Sequence, residues 1–326
     1  MDISIFKNTS GFLFGLVLLY AGAELLVRGA SRLALLARIR PMIIGLTVVA
    51  FGTSFPEFVT SIVAAWQDKI DVAIGNIVGS NIANICLILG VSGLLRPIFI
   101  DPASVKKELY WMVAASFLFW IFSLGGMINH VEGLVLFIGI IIFTLYLIRA
   151  GSNERKIHKD DALIINESSR LKHFSPIFRL IIYLSMTVVG IALLVYGSGW
   201  LIESATNIAL MLGVSEIIIG LSLVAFGTSL PELATAIISV IRKENEILIG
   251  NIVGSNIFNL LFVGGVLPTF FSARIKSRVI YVDLPIMIVI SLLLIPVVLR
   301  YKQISRKAGI MLVGFYIIYL TFIFLY

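Results

Sequence analysis

The sequence predicts an all-α polytopic membrane protein with ten transmembrane helices arranged as two inverted five-helix repeats. Three observations support this prediction. The composition is strongly apolar, the apolar residues fall into runs of membrane-spanning length, and two polar motifs each occur twice at one constant offset.

Composition separates this chain from soluble proteins. Of its 326 residues, 59% are hydrophobic and 13% are charged, and the mean hydropathy is +1.06. A soluble domain averages roughly 45–50% apolar and about 25% charged residues. The excess of apolar residues indicates an integral membrane protein. The net charge of +7 comes without a basic stripe interleaved with aromatics, so we expect no nucleic-acid partner.

Ten apolar runs approach the roughly 20 residues that a helix needs to cross the hydrocarbon layer. They cover residues 10–28, 41–66, 72–95, 108–124, 131–149, 177–200, 215–241, 246–269, 279–299 and 307–326. The longest polar connection, 150–176, separates a first half, 1–149, from a second half, 177–326. Each half therefore contains five predicted spans.

Basic residues predict the orientation of these spans. Pooled over alternate connections, one side of the membrane holds 20 of the 25 Lys and Arg residues. Cytoplasmic connections are enriched in Lys and Arg. We therefore expect a multi-pass protein of the plasma membrane with loop 150–176 in the cytoplasm and both termini outside. The cluster at Arg274, Lys276 and Arg278 lies on the opposite, sparser side.

The two halves repeat each other. A shift of 175 residues aligns GLTVVAFGTSFPEFVTSIV (45–63) with GLSLVAFGTSLPELATAII (220–238), identical at 12 of 19 positions. The same shift aligns GNIVGSNIAN (75–84) with GNIVGSNIFN (250–259), identical at nine of ten. Because each half has an odd number of spans, the second copy enters from the opposite face. Secondary transporters of this design place their substrate site near mid-membrane, where the repeats meet.

The motif GTSFPE predicts an interrupted helix. Pro56 has no N–H, and its ring clashes with the carbonyl of Gly52, four residues earlier. We expect carbonyls in 50–53 to lose their helical partners, which hydrocarbon tolerates only around a wet cavity or a cation. Thr53 and Glu57 share a helix face because they are four residues apart. The remaining pairs at this spacing are Ser80 with Asn84, Thr228 with Glu232, and Ser255 with Asn259.

These side chains offer carboxylate, hydroxyl and amide oxygens, which are hard donors. Such a set suits Ca²⁺ and Na⁺, and suits Mg²⁺ less well. One unpaired carboxylate at the bilayer centre costs about 2.5–3.5 kcal/mol, so Glu57 and Glu232 are expected to be functional. A proton-relay role for these two acids remains an alternative. No HExxH or Cys/His cluster occurs in the sequence, and no nucleophile–base pair lies at depth, so we do not expect an enzyme.

Other polar residues have simpler interpretations. The GxxxG spacing in both copies of GNIVG is typical of close helix packing. Asn81 and Asn256 are interpreted as hydrogen-bonding between helices, outside the site. Cys86 is expected to be a small buried hydrophobe. Glu24 and Glu203 lie near span ends and are expected to be solvated.

The duplicated motifs resemble those of the sodium/calcium exchangers of the cation/Ca²⁺ antiporter superfamily. The two α-repeats of that family centre on GTSxPE followed by a GxxxGSxxxN-like segment, as in GTSFPE (52–57) and GTSLPE (227–232) here. The resemblance implies that Glu57 and Glu232 are the central Ca²⁺ carboxylates and that Thr53 and Thr228 complete their site. It implies flanking Na⁺ ligands at Ala50, Ala225, Ser54, Ser229, Ser80 and Ser255, with Asn84 near the centre. Asn259 is also expected among the metal ligands. Some members have aspartate in place of Asn259, and the amide argues against K⁺ cotransport.

The resemblance implies a secondary-active antiporter that exchanges Na⁺ for Ca²⁺ by alternating access, with Ca²⁺ export driven by Na⁺ entry. The first and sixth spans would slide across the rest as the gate. Apart from the transported Ca²⁺ and Na⁺ and the lipid bilayer, no cofactor or obligatory protein partner is expected. Two alternatives stay open. One is an H⁺-coupled Ca²⁺ or cation antiporter, although that branch lacks GTSxPE, and the other, less favoured, is a cation channel.

Overall fold

The computed structural model of the chain describes residues 2–153, 174–212, 227–271 and 273–325. These residues are almost entirely helical. The helices of the first half are α1 Asp2–Ala37, α2 Pro41–Thr53, α3 Phe55–Trp66, α4 Ile70–Leu95, α5 Pro102–Ser123 and α6 His130–Asn153. Those of the second half are α7 Pro176–Met211, α8 Leu230–Arg242, α9 Asn245–Phe270, α10 Val279–Tyr301 and α11 Arg306–Leu325. Four two-residue strands complete the fold: β1 Ile98–Phe99, β2 Met127–Ile128, β3 Ala273–Arg274 and β4 Gln303–Ile304.

The all-helical membrane fold is confirmed, whereas the count of ten spans is confirmed only in part. In the described ranges, 7 helices are long and apolar enough to cross a membrane, or 8 if the bent pair α2 and α3 forms one span. The fourth predicted span corresponds to α5, a helix of 22 residues whose first turns carry Lys106, Lys107 and Glu108. The seventh, 215–241, ends in α8, and its residues 215–226 lie outside the described ranges.

Helices α1 and α7 are each 36 residues long and pack antiparallel through small residues. A Cβ atom added at Gly15 would lie 2.8 Å from the backbone nitrogen of Leu201, and one at Gly22 would lie 2.8 Å from that of Leu194. Gly15, Gly22 and Gly29, each seven residues apart, form a glycine seam along the contact with α7. Small residues at the contact let two membrane helices approach backbone to backbone.

The β-strands show how the halves are related. Strand β1 pairs with β4, and β2 pairs with β3, both antiparallel. Each ribbon therefore joins the first half to the second. The 175-residue shift superimposes β1 on β3 and brings β2 within one residue of β4. Exchanging the halves thus exchanges the ribbons, as expected for a pseudo-two-fold axis between inverted repeats.

Burial distinguishes central helices from peripheral ones. The apolar windows of α9 and α4 are 94% and 72% buried, whereas those of α7 and α11 are 22% and 11% buried. The helices that carry GNIVGSN therefore form the centre of the protein. The exposed apolar faces of the outer helices are suited to contact lipid.

Candidate cation-binding site

The backbone departs from helical geometry at the serine of both GTSxPE motifs. Ser54, with φ −85° and ψ 5°, separates α2 from α3, which meet at a bend of 41°. Ser229 has nearly the same backbone, with φ −88° and ψ 6°, and precedes α8. Pro56 has no N–H, so the carbonyl of Gly52 cannot receive the bond that a continuous helix would supply.

The carbonyl of Ala50 differs from the expectation. It accepts the N–H of Ser54 at 3.0 Å, because α2 stays helical as far as Thr53. The prediction that carbonyls lose their helical partners from residue 50 onward is therefore wrong at this position. The Thr53 hydroxyl also lies 3.4 Å from this oxygen, so the Ala50 carbonyl already has two donors near it. Its counterpart Ala225 lies outside the described residues.

Helices α4 and α9 are distorted at the second motif. A π-helical turn covers Asn84–Ile88 in α4 and Phe258–Val263 in α9. Such turns shift the direction of the side chains that follow and occur frequently at functional sites. Here they begin at Asn84 and one residue before Asn259.

The structure brings the predicted residues together in the protein interior. Eleven of the twelve lie within the described ranges, and none of these is more than 6% exposed. They are Ala50, Thr53, Ser54, Glu57, Ser80, Asn84, Thr228, Ser229, Glu232, Ser255 and Asn259.

Each acid is bound by the serine of the other half. Ser54 Oγ donates to Glu232 Oε1 at 2.8 Å, and Ser229 Oγ donates to Glu57 Oε1 at 3.3 Å. The Ser229 hydroxyl also lies 3.5 Å from that of Ser80, on α4. These contacts join both GTSxPE motifs and the first copy of GNIVGSN into one site.

Two asparagines outside the predicted set belong to the same network. Thr53 Oγ1 donates to Asn251 Oδ1 at 3.0 Å, and Thr228 Oγ1 donates to Asn76 Oδ1 at 3.3 Å. Asn76 also donates to the carbonyl of Glu57 at 3.1 Å. The sequence did contain a signal for both residues, since each is the second residue of the unchanged repeat GNIVGSN.

Close packing of α2 on α9 makes these contacts possible. A Cβ atom at Gly250 would lie 2.6 Å from the carbonyl oxygen of Met42, and one at Gly254 would lie 2.6 Å from that of Leu46. The packing role predicted for GxxxG is therefore confirmed in the second copy. In the first copy, the residues equivalent to this part of α2 fall within 213–226, outside the described ranges.

Four buried oxygens of the site have no hydrogen-bond partner among the described residues. They are Glu57 Oε2, Glu232 Oε2, Asn84 Oδ1 and Asn259 Oδ1. A buried polar atom without a partner costs about 1–3 kcal/mol, and each of these oxygens is of a type that can bind a cation. In the described part of the chain, no three His, Cys, Asp or Glu residues cluster. The donor set thus combines two carboxylates with neutral oxygens, which suits Ca²⁺ and Na⁺.

Three residues outside the site can also be compared with expectation. Cys86 is fully buried, as predicted, and Glu203 is exposed, as predicted. Glu24 is less solvated than predicted, because its side chain is only 15% exposed and forms ion pairs with Arg28 and Arg242. Arg28 lies one helical turn further along α1, and Arg242 ends α8, which reaches α1 only in the folded chain.

Comparisons with known proteins agree with this geometry. The chain matches the sodium/calcium exchanger protein family over residues 7–149 and 182–325. It is 32% identical to the inner membrane protein YrbG of Escherichia coli (strain K12), over 97% of this chain and 96% of that protein. It is 30% identical to the sodium/calcium exchanger MaX1 of Methanosarcina acetivorans, over 96% of this chain and 97% of that protein.

A solved structure extends the likeness to three dimensions. The sodium–calcium exchanger NCX_Mj, soaked with Na⁺ and without Ca²⁺, superimposes with a TM-score of 0.84 at 30% identity, over 97% of this chain and 99% of that one. The match covers both halves and therefore both pairs of motifs. The chain belongs to the sodium/calcium exchanger protein family, and it is an antiporter of that type rather than an enzyme.

Proposed function

We propose that this protein exchanges Na⁺ for Ca²⁺ across the plasma membrane by alternating access and exports Ca²⁺ as Na⁺ enters. The supporting observation is the group of four unpartnered buried oxygens, two from acids and two from amides. Two carboxylates balance the charge of one Ca²⁺. They cannot also balance a full Na⁺ load, so the two ions compete for one site.

Competition for one site is what couples the two fluxes. With either ion bound, the charges of Glu57 and Glu232 are compensated and the protein can reorient. The empty site carries two buried negative charges, and moving it between faces is costly. The protein therefore crosses between its two states mainly when loaded.

The unpartnered oxygens and the family resemblance support the following ligand roles. Ca²⁺ would occupy the centre, between the free oxygens of Glu57, Glu232, Asn84 and Asn259. Na⁺ would use the hydroxyl and carbonyl oxygens around it. Thr53 and Thr228 would complete the Ca²⁺ site, and the flanking donors are Ser54, Ser80, Ser229, Ser255 and the carbonyls of Ala50 and Ala225.

The gate in this proposal is the pair α1 and α7, held together by the glycine seam. Helix α7 covers both motif glycines: a Cβ atom at Gly52 would lie 2.4 Å from Cδ1 of Ile191, and one at Gly227 would lie 2.4 Å from Cδ1 of Ile202. Sliding of α7 would therefore act on both helix interruptions at once. The repeats are assigned to 1–149 and 177–326, with 150–176 as the cytoplasmic loop and both termini extracellular.

Flux measurements in liposomes test this proposal. Purified protein is reconstituted, and ⁴⁵Ca²⁺ uptake is driven by an outward Na⁺ gradient, by a pH gradient, or by neither. We expect uptake only with the Na⁺ gradient. Uptake driven by the pH gradient alone would favour the H⁺-coupled alternative, and electrical conductance without exchange in planar bilayers would favour a channel. Either result would refute Na⁺-coupled exchange.

A further inference from the structure

Asn81 and Asn256 face each other across the pseudo-two-fold axis. Asn81 Nδ2 donates to the backbone carbonyl of Asn256 at 3.4 Å, and Asn256 Nδ2 donates to that of Asn81 at 3.4 Å. A backbone carbonyl can only accept. The amide nitrogen of each side chain must therefore point at the opposite backbone, which fixes how each amide is turned.

Two methionines reinforce the same orientation. Asn81 Nδ2 lies 3.6 Å from Met287 Sδ, and Asn256 Nδ2 lies 3.6 Å from Met112 Sδ. A thioether sulfur is a weak acceptor and has no hydrogen to donate. If either amide were flipped, its oxygen would face both a carbonyl oxygen and a sulfur. The nitrogen position is thus favoured by two acceptors in each half.

The orientation of these two amides determines how the neighbouring amides of the cation site are turned. Because Asn81 Nδ2 faces the carbonyl of Asn256 and the sulfur of Met287, Asn81 Oδ1 faces the other way and accepts from Asn259 Nδ2 at 3.3 Å. In the same way, Asn256 Oδ1 accepts from Asn84 Nδ2 at 3.0 Å. The amide nitrogens of Asn84 and Asn259 are therefore directed at Asn256 and Asn81, and their oxygens are the atoms left without a partner.

We propose that Asn81 and Asn256 are positioning residues that keep the amide oxygens of Asn259 and Asn84, rather than their nitrogens, directed at the bound cation. The inference rests on the proposed function. A flipped Asn259 would present an NH₂ group, whose hydrogens carry partial positive charge, and the site would lose one ligand. Loss of a partner that orients a metal ligand typically lowers metal affinity about 10–100-fold.

Measuring Asn81→Ala in two variant backgrounds, Asn259→Asp and Asn84→Asp, distinguishes a positioning role from general destabilisation. Asn81→Ala should raise the Na⁺ and Ca²⁺ half-saturation concentrations about 10–100-fold. Asn259→Asp supplies two equivalent oxygens, so there is no orientation left to fix. In that background, Asn81→Ala should therefore cause no further loss. In the Asn84→Asp background the full loss should persist, because Asn84 is oriented by Asn256.

Cation-dependent thermal stabilisation of the purified protein, together with the KM and kcat of ⁴⁵Ca²⁺ exchange, provides the readout. Asn245→Ala is the matched control, since Asn245 donates to the carbonyl of Phe99 and is not part of the site. Should Asn81→Ala fail to fold, Met287→Leu removes only the sulfur acceptor. This variant should give a smaller loss that also disappears in the Asn259→Asp background.

The same loss in the wild-type and Asn259→Asp backgrounds would overturn the inference, as would unchanged half-saturation in Asn81→Ala. Absence of exchange by the wild-type chain would instead overturn the proposed function. The thermal measurement does not depend on exchange, so it decides the positioning role by itself.

Discussion

Removing one acid charge should weaken Ca²⁺ binding far more than Na⁺ binding. Glu232 is 1% exposed, with one carboxylate oxygen bound by Ser54 and the other unpartnered. Glu232→Gln keeps the size of the side chain and an oxygen for Ser54. At an effective dielectric constant of about 20, two unit charges about 4 Å apart interact by about 4 kcal/mol, and a divalent ion doubles this.

The extra loss for Ca²⁺ is therefore about 4 kcal/mol, or about 10³-fold in affinity. The assay compares ⁴⁵Ca²⁺ uptake with ²²Na⁺ self-exchange in liposomes for Glu232→Gln and Glu57→Gln, each titrated with its ion. Ca²⁺ exchange should disappear at concentrations that saturate the wild type. The exposed Glu203→Gln on α7 is the control and should behave as wild type. Full Ca²⁺ exchange in either variant, or equal losses for the two ions, would refute a shared dianionic site.

Two further outcomes are expected. Gly190→Ala should destabilise the detergent-solubilised protein by about 1–3 kcal/mol, since the added Cβ would lie 2.6 Å from the backbone nitrogen of Leu26. The control Gly199→Ala, at an exposed position of the same helix, should not destabilise it. Equal thermal midpoints of the two variants would contradict the close packing of α1 on α7. Asn251→Ala should raise the Ca²⁺ half-saturation concentration about tenfold, because the Thr53 hydroxyl loses a buried acceptor worth about 1–3 kcal/mol. Unchanged ⁴⁵Ca²⁺ kinetics would remove Asn251 from the site.

The halves and their motifs could be predicted because repetition is visible in one dimension. Two long matches at one offset, with an odd number of spans between copies, lead to an inverted arrangement without any coordinates. The ends of α1 and α7 could not be predicted in this way. Both helices continue well beyond the predicted spans 10–28 and 177–200, because hydropathy marks the lipid-facing part of a helix and a helix can continue after that part ends.

The error at Ala50 has a specific cause. Proline removes the hydrogen bond to the carbonyl four residues before it, which is Gly52 for Pro56. The carbonyl of Ala50, two residues further upstream, keeps its partner because Ser54 supplies the N–H. Sequence reasoning located the interruption correctly but extended its effect too far along α2.

Contacts between the halves were beyond the reach of sequence reasoning. A pattern of i and i+4 positions places Thr53 near Glu57, but the hydroxyl of Thr53 donates to Asn251 on α9. Asn76 and Asn251 were missed for the same reason, since their partners lie 152 and 198 residues away. An asparagine in an apolar helix can serve packing or a site equally well, and only its partners distinguish the two.

The crossed contacts have a consequence for how the site can work. In each acid, one carboxylate oxygen accepts a hydrogen bond from a serine of the opposite half. Neither half therefore forms a complete binding site alone. In the proposed gate, sliding of α7 acts on Gly52 and Gly227, which lie two residues before Ser54 and Ser229. Because each serine binds the acid of the other half, such a movement would change both serine–carboxylate distances. We therefore expect ion affinity to depend on the position of α1 and α7 against the remaining helices. In the proposed exchange, a bound cation would stabilise the arrangement in which both acids are hydrogen-bonded, and its departure would make that arrangement costly.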